Sequence, residues 1–360
     1  MHLKQLNLYN FKNFKEKNFS FDTKINCFTG NNGVGKTNIL DAIYFLSFGK
    51  SFLNNNIRQI IHFGEEAFSV KGDFLINKKP EIIHISYQND KKKIIKRNNK
   101  IYDRLSDHIG LIPLVMISPY DRDLIAEHGE IRRKFVDKII SQSDPAYLSA
   151  LIGYQKNLAQ RNRLLKYFAS NHKFDKETLA VYDEQLHQYG TVIFNKRKNF
   201  IQALSEFLKE KYQILSGGKE RVDISYYSEL EIKPLLDLLK ENIQKDRILQ
   251  HTSKGIHRDD FLFEIDTHPI KKFGSQGQQK TFLIALRLAE FEFLKKQSGK
   301  LPILLFDDIF DKLDEHRVKQ IINLVNDKAF GQIFISDTHK ERTDKLVKEI
   351  NGSYKIYELK

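Results

Sequence analysis

The chain has 360 residues, of which 41% are hydrophobic and 29% are charged. This length favours two lobes over one core, and the composition excludes a largely disordered chain. Its 59 Lys and Arg residues against 46 Asp and Glu give a net charge of +13, which favours polyanionic partners such as nucleic acid or acidic lipid. The amino terminus lacks an apolar signal-peptide core, and no apolar run approaches the roughly 18 residues of a membrane span. A single cysteine, Cys27, excludes internal disulfides and cysteine-based metal sites, so we expect a soluble cytoplasmic protein without a membrane partner.

The first predicted elements lead into a phosphate-binding loop. The pattern over Leu3 to Phe21 predicts two short antiparallel strands, and Lys24 to Thr29 predicts a buried strand. Gly30 to Thr37, with the sequence GNNGVGKT, then matches G-x-x-x-x-G-K-[ST], and Thr37 to Phe48 repeats apolar residues at helical spacing. This order predicts a nucleoside triphosphate site, because the glycines let backbone N–H groups converge on phosphate oxygens at a helix N-terminus.

The residue types in this loop predict ATP and Mg²⁺ as cofactors. Lys36 is expected to reach the β and γ phosphates and is a candidate catalytic residue, and the Thr37 hydroxyl is expected in the Mg²⁺ shell. The alternative interpretation is a glycine-rich turn that matches by chance. The predicted nucleotide-binding residues of this loop are Gly30, Asn31, Asn32, Gly33, Val34, Gly35, Lys36 and Thr37.

The middle of the chain, about Pro119 to Leu249, is mostly helical in pattern. Apolar residues repeat through Ile131 to Ile140, Tyr147 to Phe168 and Leu179 to Tyr212. This interval is too short for a long coiled-coil arm, so we predict a compact inserted helical lobe. The predicted domains are residues 1–118 with 250–360 as the nucleotide-binding head, and residues 119–249 as the insertion.

Basic clusters along the chain are candidate DNA contacts. A charge run is more often a solvated face, and none of these clusters is convincing by itself. No base-reading motif is visible, so DNA structure is a better candidate for recognition than DNA sequence. The clusters are Lys91-Lys92-Lys93 with Lys96-Arg97, Arg132-Arg133-Lys134, Arg161 with Arg163 and Lys166, and Lys196-Arg197-Lys198.

A serine and glycine segment precedes a predicted helix from Lys280 to Lys295. It contains Ser275, Gln276, Gly277 and Gln278, and its place before an acidic strand is that of the ABC signature loop. In that class of ATPase the signature of one subunit closes over the ATP of another, so these four residues are predicted to bind nucleotide in a two-fold dimer. Ordinary N-capping by Ser275 is the alternative interpretation.

The second half of the nucleotide site is predicted at a buried strand, Leu301 to Phe306, that ends in Asp307 and Asp308. This is a Walker B pattern, in which we assign Asp307 to the metal and Asp308 to catalysis through the attacking water. Asp314 lies where a D-loop aspartate is expected. His339, after a predicted strand from Gln332 to Ser336, is a doubtful γ-phosphate sensor and fits better as a surface residue.

Several strings together resemble the RecF family of SMC-like ABC ATPases, over nearly the whole chain. The chain departs from the family pattern at three places: Lys12 replaces a common Arg, Leu53-Asn54 replaces a common Arg-Thr pair, and Ile256 replaces a common Pro. The lysine at position 12 lacks the guanidinium group, which puts a bidentate or stacked nucleotide contact there in doubt. The strings are NFKN from Asn10, GNNGVGKTNILDAIYFLSFGKSF from Gly30, Ser118-Pro119, RRKFVD from Arg132, Gln160-Arg161-Asn162, GIHRDD from Gly255, SQGQQKT from Ser275 and LLFDDIFDKLD from Leu304.

The resemblance implies an α/β fold: an ABC/SMC-type P-loop ATPase head, with a mixed sheet and flanking helices, carrying an inserted helical lobe and no long coiled coil. It also implies an ATP-induced homodimer that binds gapped or single-strand/double-strand junction DNA and is reset by slow, weak, DNA-stimulated hydrolysis. RecR and RecO as partners, RecA loading, replication restart and the SOS response follow from the resemblance alone. The alternatives left open are an ABC transporter ATPase subunit, a metabolic P-loop kinase and a scaffold that binds ATP without hydrolysing it.

Overall fold

The computed structural model describes residues 1–308, 320, 330–348 and 352–360. The chain divides into two compact units, each assembled from separate stretches. The first unit comprises residues 1–121, 211–219 and 280–360, and the second comprises residues 122–210 and 220–279.

The first unit contains a six-stranded antiparallel sheet in the order β2-β1-β4-β5-β6-β7. Its strands β4 and β5 alternate between buried and more exposed residues, as expected of a sheet with one face on a core. The strands are β1 (His2–Phe11), β2 (Phe14–Ser20), β4 (Ala67–Ile76), β5 (Lys79–Gln88), β6 (Ile94–Arg97) and β7 (Lys100–Ile101).

A second sheet in this unit is parallel, in the order β14-β3-β13-β12-β8. The central strands β3, β12 and β13 are buried at every position, which is typical of parallel strands covered on both faces. The strands are β3 (Ile25–Thr29), β8 (Leu114–Ile117), β12 (Ile303–Asp307), β13 (Ile333–Asp337) and β14 (Tyr354–Glu358).

Helix α1 (Lys36–Phe48) shares a hydrophobic core with both sheets of the first unit. Eleven of its residues are buried, from Lys36 and then from Ile39 through Phe48, so the helix is enclosed on nearly every side. Because α1 begins at the last residues of the P-loop, this packing holds the loop in place. A further helix of this unit is α10 (Lys340–Lys348).

The second unit is mainly helical but also contains a three-stranded antiparallel sheet in the order β11-β10-β9. Two long helices, α5 and α9, contribute residues to both units. The remaining elements are α2 (Asp123–Ala126), α3 (Gly129–Ser143), α4 (Pro145–Ser170), α5 (Lys176–Ser216), β9 (Val222–Tyr227), α6 (Leu235–Glu241), α7 (Ile243–Leu249), β10 (Asp260–Ile265), β11 (His268–Pro269), α8 (Ile270–Phe273) and α9 (Gln276–Ser298).

The unit boundaries differ from the predicted domain boundaries. Residues 250–279, predicted to lie in the head, group with the second unit, because β10 pairs along its whole length with β9. The second unit is therefore not purely helical, and the sequence analysis did not predict β9. Residues 211–219 belong to the first unit. The assignment of the two units as head and insertion remains a prediction.

None of the helices in the described part of the chain combines the length and the apolar character that a membrane crossing needs.

Candidate functional site

The P-loop has a backbone that only glycine can adopt at two of its positions. Gly30 has φ 147° and Gly35 has φ 104°. A Cβ at Gly30 would lie 2.5 Å from the Leu359 carbonyl oxygen, and a Cβ at Gly35 would collide with the Asn13 side chain. Side chains at these positions would therefore distort the loop. The two glycines of the G-x-x-x-x-G motif, Gly30 and Gly35, are therefore two positions where the loop backbone requires glycine.

Lys36, the first residue of α1, is turned back across this loop. Its buried ammonium donates hydrogen bonds to the carbonyl oxygens of Gly30, at 2.8 Å, and Asn31, at 2.9 Å. The charge is thus held by neutral acceptors at the centre of the loop. A phosphate oxygen would be a stronger acceptor for the same donors.

The P-loop meets the Walker B carboxylate at the carboxyl ends of β3, β13 and β12. The Thr37 hydroxyl donates to Asp307 Oδ1 at 2.8 Å, and the Ser336 hydroxyl donates to the same oxygen at 2.8 Å. Ser336 lies opposite Asp307 because β12 and β13 pair in parallel register. Ser336 was not identified as a site residue in the sequence, since only this register places it beside Asp307.

The environment of Asp307 fits a divalent cation. Burial raises the pKa of its carboxyl group, and the hydrogen bonds from Ser336 and Thr37 oppose that shift. A buried carboxylate that is costly to ionise is stabilised by a bound cation. Thr37 and Asp307 supply hydroxyl and carboxylate oxygens, the donor types that Mg²⁺ takes while it keeps several waters.

Asp308, the predicted catalytic carboxylate, follows directly after β12. Its backbone is left-handed, with φ 45°, and its N–H donates to Ser336 Oγ at 3.0 Å. Aspartate tolerates this conformation better than most residues because its short side chain can bond locally. Asp308 is only partly buried, whereas Asp307 is 3% exposed, so the two neighbouring carboxylates have different environments.

The turn between β1 and β2 supports the P-loop from outside. Asn13 Nδ2 donates to the Val34 carbonyl oxygen at 3.1 Å, and Asn13 Oδ1 accepts from Asn38 Nδ2 at 2.8 Å. The neighbouring Lys12 forms an ion pair of 2.6 Å with Asp41 of α1, and both side chains are at most 8% exposed. Lys12 therefore contacts the P-loop helix, and Asn13, previously noted only within a family string, contacts the loop itself.

The candidate signature residues form the beginning of α9. Ser275 Oγ accepts from the Gln278 N–H at 3.3 Å, and Gln278 Oε1 accepts from the Ser275 N–H at 2.7 Å. This reciprocal pair is a capping box, and Gln278 also donates to Glu220 at 2.9 Å. N-capping by Ser275 is therefore present, and the helix starts earlier than the predicted Lys280. Gln276 is exposed and Gly277 is partly exposed, so both are accessible at the helix N-terminus.

Known proteins resemble this chain over nearly its whole length. Residues 2–358 match the family model described as the RecF/RecN/SMC N terminal domain. The DNA replication and repair protein RecF of Flavobacterium johnsoniae is 58% identical over 359 residues, covering 100% of both chains. The chain belongs to the RecF family. It therefore has the ABC-type ATPase fold of that family, with parallel and antiparallel sheets and flanking helices.

Two solved RecF structures are similar over most of their length. The structure of the recombination mediator protein RecF-ATPrS in the RecFOR pathway has 30% identity and a TM-score of 0.89, covering 100% of this chain and 96% of that one. The corresponding RecF-ATP structure has 31% identity and a TM-score of 0.87, covering 94% and 92%. The first likeness covers the whole of this RecF-family chain, so it includes the P-loop and the Walker B strand.

Two candidate site residues from the sequence, Asp314 and His339, have no assigned role. Asp314, the expected D-loop aspartate, lies outside the described residues. His339 is exposed, and its N–H donates to Asp337 Oδ1 at 3.1 Å just before α10 begins. This position agrees with the interpretation of His339 as a surface residue.

Two arginines proposed as DNA contacts are buried in the second unit, so that proposal is wrong for them. Arg161 is 0% exposed and pairs with Asp183 at 2.5 Å and Asp246 at 2.6 Å. Arg197 is 1% exposed and pairs with Asp137 at 2.8 Å and Asp259 at 3.1 Å. Their charges are neutralised inside the unit, which the local sequence could not indicate.

The other basic clusters divide into paired and exposed members. Arg132 donates to both oxygens of Asp260 at 2.8 Å, a fork that occupies its guanidinium. Several others contact nearby carboxylates: Lys134 with Glu130, Lys196 with Asp144, Lys198 with Glu231 and Arg97 with Glu81. Exposed members that keep a DNA role as a prediction are Lys91, Lys92, Arg163 and Lys166.

Proposed function

We propose that this chain is an ATP-dependent DNA-binding protein of recombinational repair and replication restart that works as an ATP-gated homodimer. The observation that carries the proposal is the grouping of Thr37, Asp307 and Ser336 within hydrogen-bonding distance at the end of the P-loop. That grouping suits a nucleotide with its metal. The names of the relatives, which are DNA replication and repair proteins, support the repair role.

The nucleotide is bound by residues that already have the required orientation. The N–H groups of the P-loop hold the phosphates, and Lys36 exchanges its two carbonyl acceptors for phosphate oxygens. Thr37 and Asp307 would hold Mg²⁺, which neutralises charge on the phosphates when it is bound. Ser336 keeps the carboxylate of Asp307 oriented toward that position, and Asp308 orients the attacking water.

The gate is formed by a second copy of the chain. The beginning of α9, with Ser275, Gln276, Gly277 and Gln278, closes over the ATP of the partner protomer, because helix N-terminal N–H groups attract a γ-phosphate. Two nucleotides then join two copies related by a two-fold axis. Weak, DNA-stimulated hydrolysis removes the bridging phosphate and reopens the dimer, so the enzyme acts as a switch.

The bound DNA is gapped or has a single-strand/double-strand junction, and it is recognised without reading its sequence. The net charge of +13 supports phosphate binding, with exposed Lys91, Lys92, Arg163 and Lys166 as contacts. By family, RecR and RecO assist this protein in loading RecA and in the SOS response. The family match does not favour a transporter subunit or a metabolic kinase.

Sedimentation velocity with ATP and Mg²⁺, with and without gapped duplex, tests this function. We expect ATP to dimerise the wild-type chain and to tighten DNA binding, and we expect Lys36→Arg and Ser275→Arg to abolish both responses. Asp308→Asn is expected to dimerise but to stay dimeric after the wild type has hydrolysed its ATP, since binding is retained and hydrolysis is lost.

Ser225→Arg is the matched control for Ser275→Arg, because Ser225 is an exposed serine on β9 of the same unit. It should dimerise like the wild type. Unchanged sedimentation of each variant without ATP shows that the fold is intact. A chain that stays monomeric and binds gapped DNA equally with and without ATP would overturn the proposal.

A further inference from the structure

The second unit exposes a patch of large apolar side chains at and just beyond the last turn of α4 and at the end of α7. Tyr167 is 54% exposed, Phe174 is 37%, Ile248 is 82% and Leu249 is 42%. The rings of Tyr167 and Phe168 lie 6.3 Å apart, and those of Phe168 and Phe174 lie 5.5 Å apart. The buried ring of Phe168 therefore contacts both exposed rings, and grouped apolar side chains mark interaction sites where single exposed ones do not.

A groove of about 390 Å³ lies beside these side chains, and Ile248 forms part of its lining. Its apolar lining comes from Leu165, Phe168, Ala169 and Ile248, so α4 and α7 form its two walls. This volume is in the range of sites that bind a few side chains of a ligand. The residues that line the groove belong to the second unit, and the P-loop belongs to the first.

The rim of the groove is cationic. Lys173 and Arg247 line it, and the eight lining residues include no carboxylate. Arg247 is held in place by the Phe174 ring, 4.2 Å from its guanidinium carbon, and by Gln244 Oε1, 3.2 Å from its Nη1. Among the described residues neither Arg247 nor Lys173 pairs with a carboxylate, in contrast to the buried Arg161 and Arg197. The positive charge therefore faces outward beside an apolar floor.

This combination favours one class of partner. Nucleic acid requires the cations but gains little from a floor of Leu165, Phe168 and Ile248, whereas an apolar ligand gains nothing from Lys173 and Arg247. Aromatic residues and arginine are the side chains that protein interfaces concentrate. We propose that the groove between α4 and α7 binds an acidic peptide segment of a partner protein, with a large apolar side chain of the segment in the groove and its carboxylates on Lys173 and Arg247.

A random-peptide phage library, selected on the immobilised full-length wild-type chain, tests this proposal. The selected peptides should share carboxylates next to a large apolar residue. A synthetic, fluorescently labelled copy of the shared sequence should then bind less tightly to Ile248→Asp and Arg247→Glu by about tenfold or more, which is roughly 1.4 kcal/mol, in anisotropy titrations. Its affinity should also fall as salt rises, because the carboxylate contacts are near the surface.

Matched controls lie in the same unit. Ile232 is 85% exposed, close to the 82% of Ile248, and Lys245 is an exposed cation of α7 that does not line the groove. Ile232→Asp and Lys245→Glu should bind the peptide like the wild type. Selected peptides without acidic character, or equal losses in the control variants, would overturn the proposal.

Competition with gapped duplex DNA tests whether the groove binds DNA instead of an acidic peptide. If the DNA displaces the peptide, and if Ile248→Asp weakens DNA binding as much as peptide binding, the groove is a nucleic-acid contact and the proposal is wrong. Ile248→Asp is expected to keep the wild-type dimerisation with ATP. Loss of peptide binding with an intact ATP response therefore distinguishes this groove from the nucleotide switch.

Discussion

At the scale of single residues, the P-loop depends on a side chain that has no part in its sequence motif. Asn13 bonds the Val34 carbonyl oxygen and the Asn38 amide, and it packs against Gly35 where a Cβ would collide with it. These contacts hold the loop from the side of the β1–β2 turn. Because the loop carbonyls are held in this way, its N–H groups can face a phosphate without reorganising.

Asn13→Ala is therefore expected to weaken ATP binding. Loss of the two hydrogen bonds should cost roughly 1–2 kcal/mol, about tenfold in affinity, with a smaller effect on the free energy of unfolding. Asn7→Ala is the control, because Asn7 makes an equally exposed side-chain hydrogen bond of 2.7 Å to Asn18 in the same hairpin. Titration with a fluorescent ATP analogue measures both. Equal affinities for the two variants would show that Asn13 does not support the loop.

At the scale of elements, buried arginines join the helices of the second unit. Arg161 of α4 reaches Asp183 of α5 and Asp246 of α7, and Asp246 also accepts from Ser253 Oγ at 2.6 Å. Each of these groups is desolvated, so each requires its partners. The network specifies how α4, α5 and α7 pack against one another.

Asp246→Ala is expected to destabilise the chain by about 3–5 kcal/mol, because it leaves the buried Arg161 with one carboxylate less. Glu241→Ala, which breaks the exposed ion pair between Lys233 and Glu241, should change the free energy of unfolding by less than about 1 kcal/mol. Urea unfolding at neutral pH measures both values. A small effect of Asp246→Ala would mean that the ion pair contributes little to the packing of α7.

At the scale of the whole molecule, each unit contains a histidine whose pKa is lowered by burial. Burial lowers the pKa of His108 in the first unit and lowers that of His257 in the second to about 4, although the hydrogen bond from His257 to the Thr252 carbonyl opposes the shift. The carbonyl accepts from Nε2, so Nδ1 accepts from the Tyr154 hydroxyl at 2.8 Å. The neutral tautomer of His257 is thereby determined by its partners.

Acid should therefore destabilise this protein through its histidines. Below the ordinary histidine pKa of 6.5, His257 is protonated in the unfolded chain, whereas in the folded chain it is protonated only near its lowered pKa of about 4. The free energy of unfolding therefore decreases as pH falls from 6.5 to about 4. For His257 the loss between about pH 7 and about pH 5 is roughly 2 kcal/mol. His257→Gln should be less sensitive to pH by that amount in urea unfolding. The same pH dependence in wild type and variant would contradict this account.

Local patterns in the sequence were sufficient to predict the loop, the acidic strand end and most of the elements around them. The loop from Gly30 to Thr37, the strand before Asp307 and the helices at Tyr147 and Leu179 follow from spacing, buried runs and helical periodicity, because those signals act between near neighbours. Strand boundaries shifted by one or two residues, as at Ile303–Asp307. The predicted pairing of the first two strands as an antiparallel hairpin is confirmed.

Tertiary structure decided which polar residues join the site and which cations are accessible. Ser336 bonds a carboxylate 29 residues away, and Asn13 bonds a carbonyl oxygen 21 residues away. The charge of Arg197 is neutralised by carboxylates 60 and 62 residues away. The pairing of β9 with β10 likewise moved residues 250–279 into the second unit. Charge and polarity are properties of a residue and can be read from the sequence. Burial and partnership depend on chain segments that meet only in the folded protein, so the sequence by itself did not determine them.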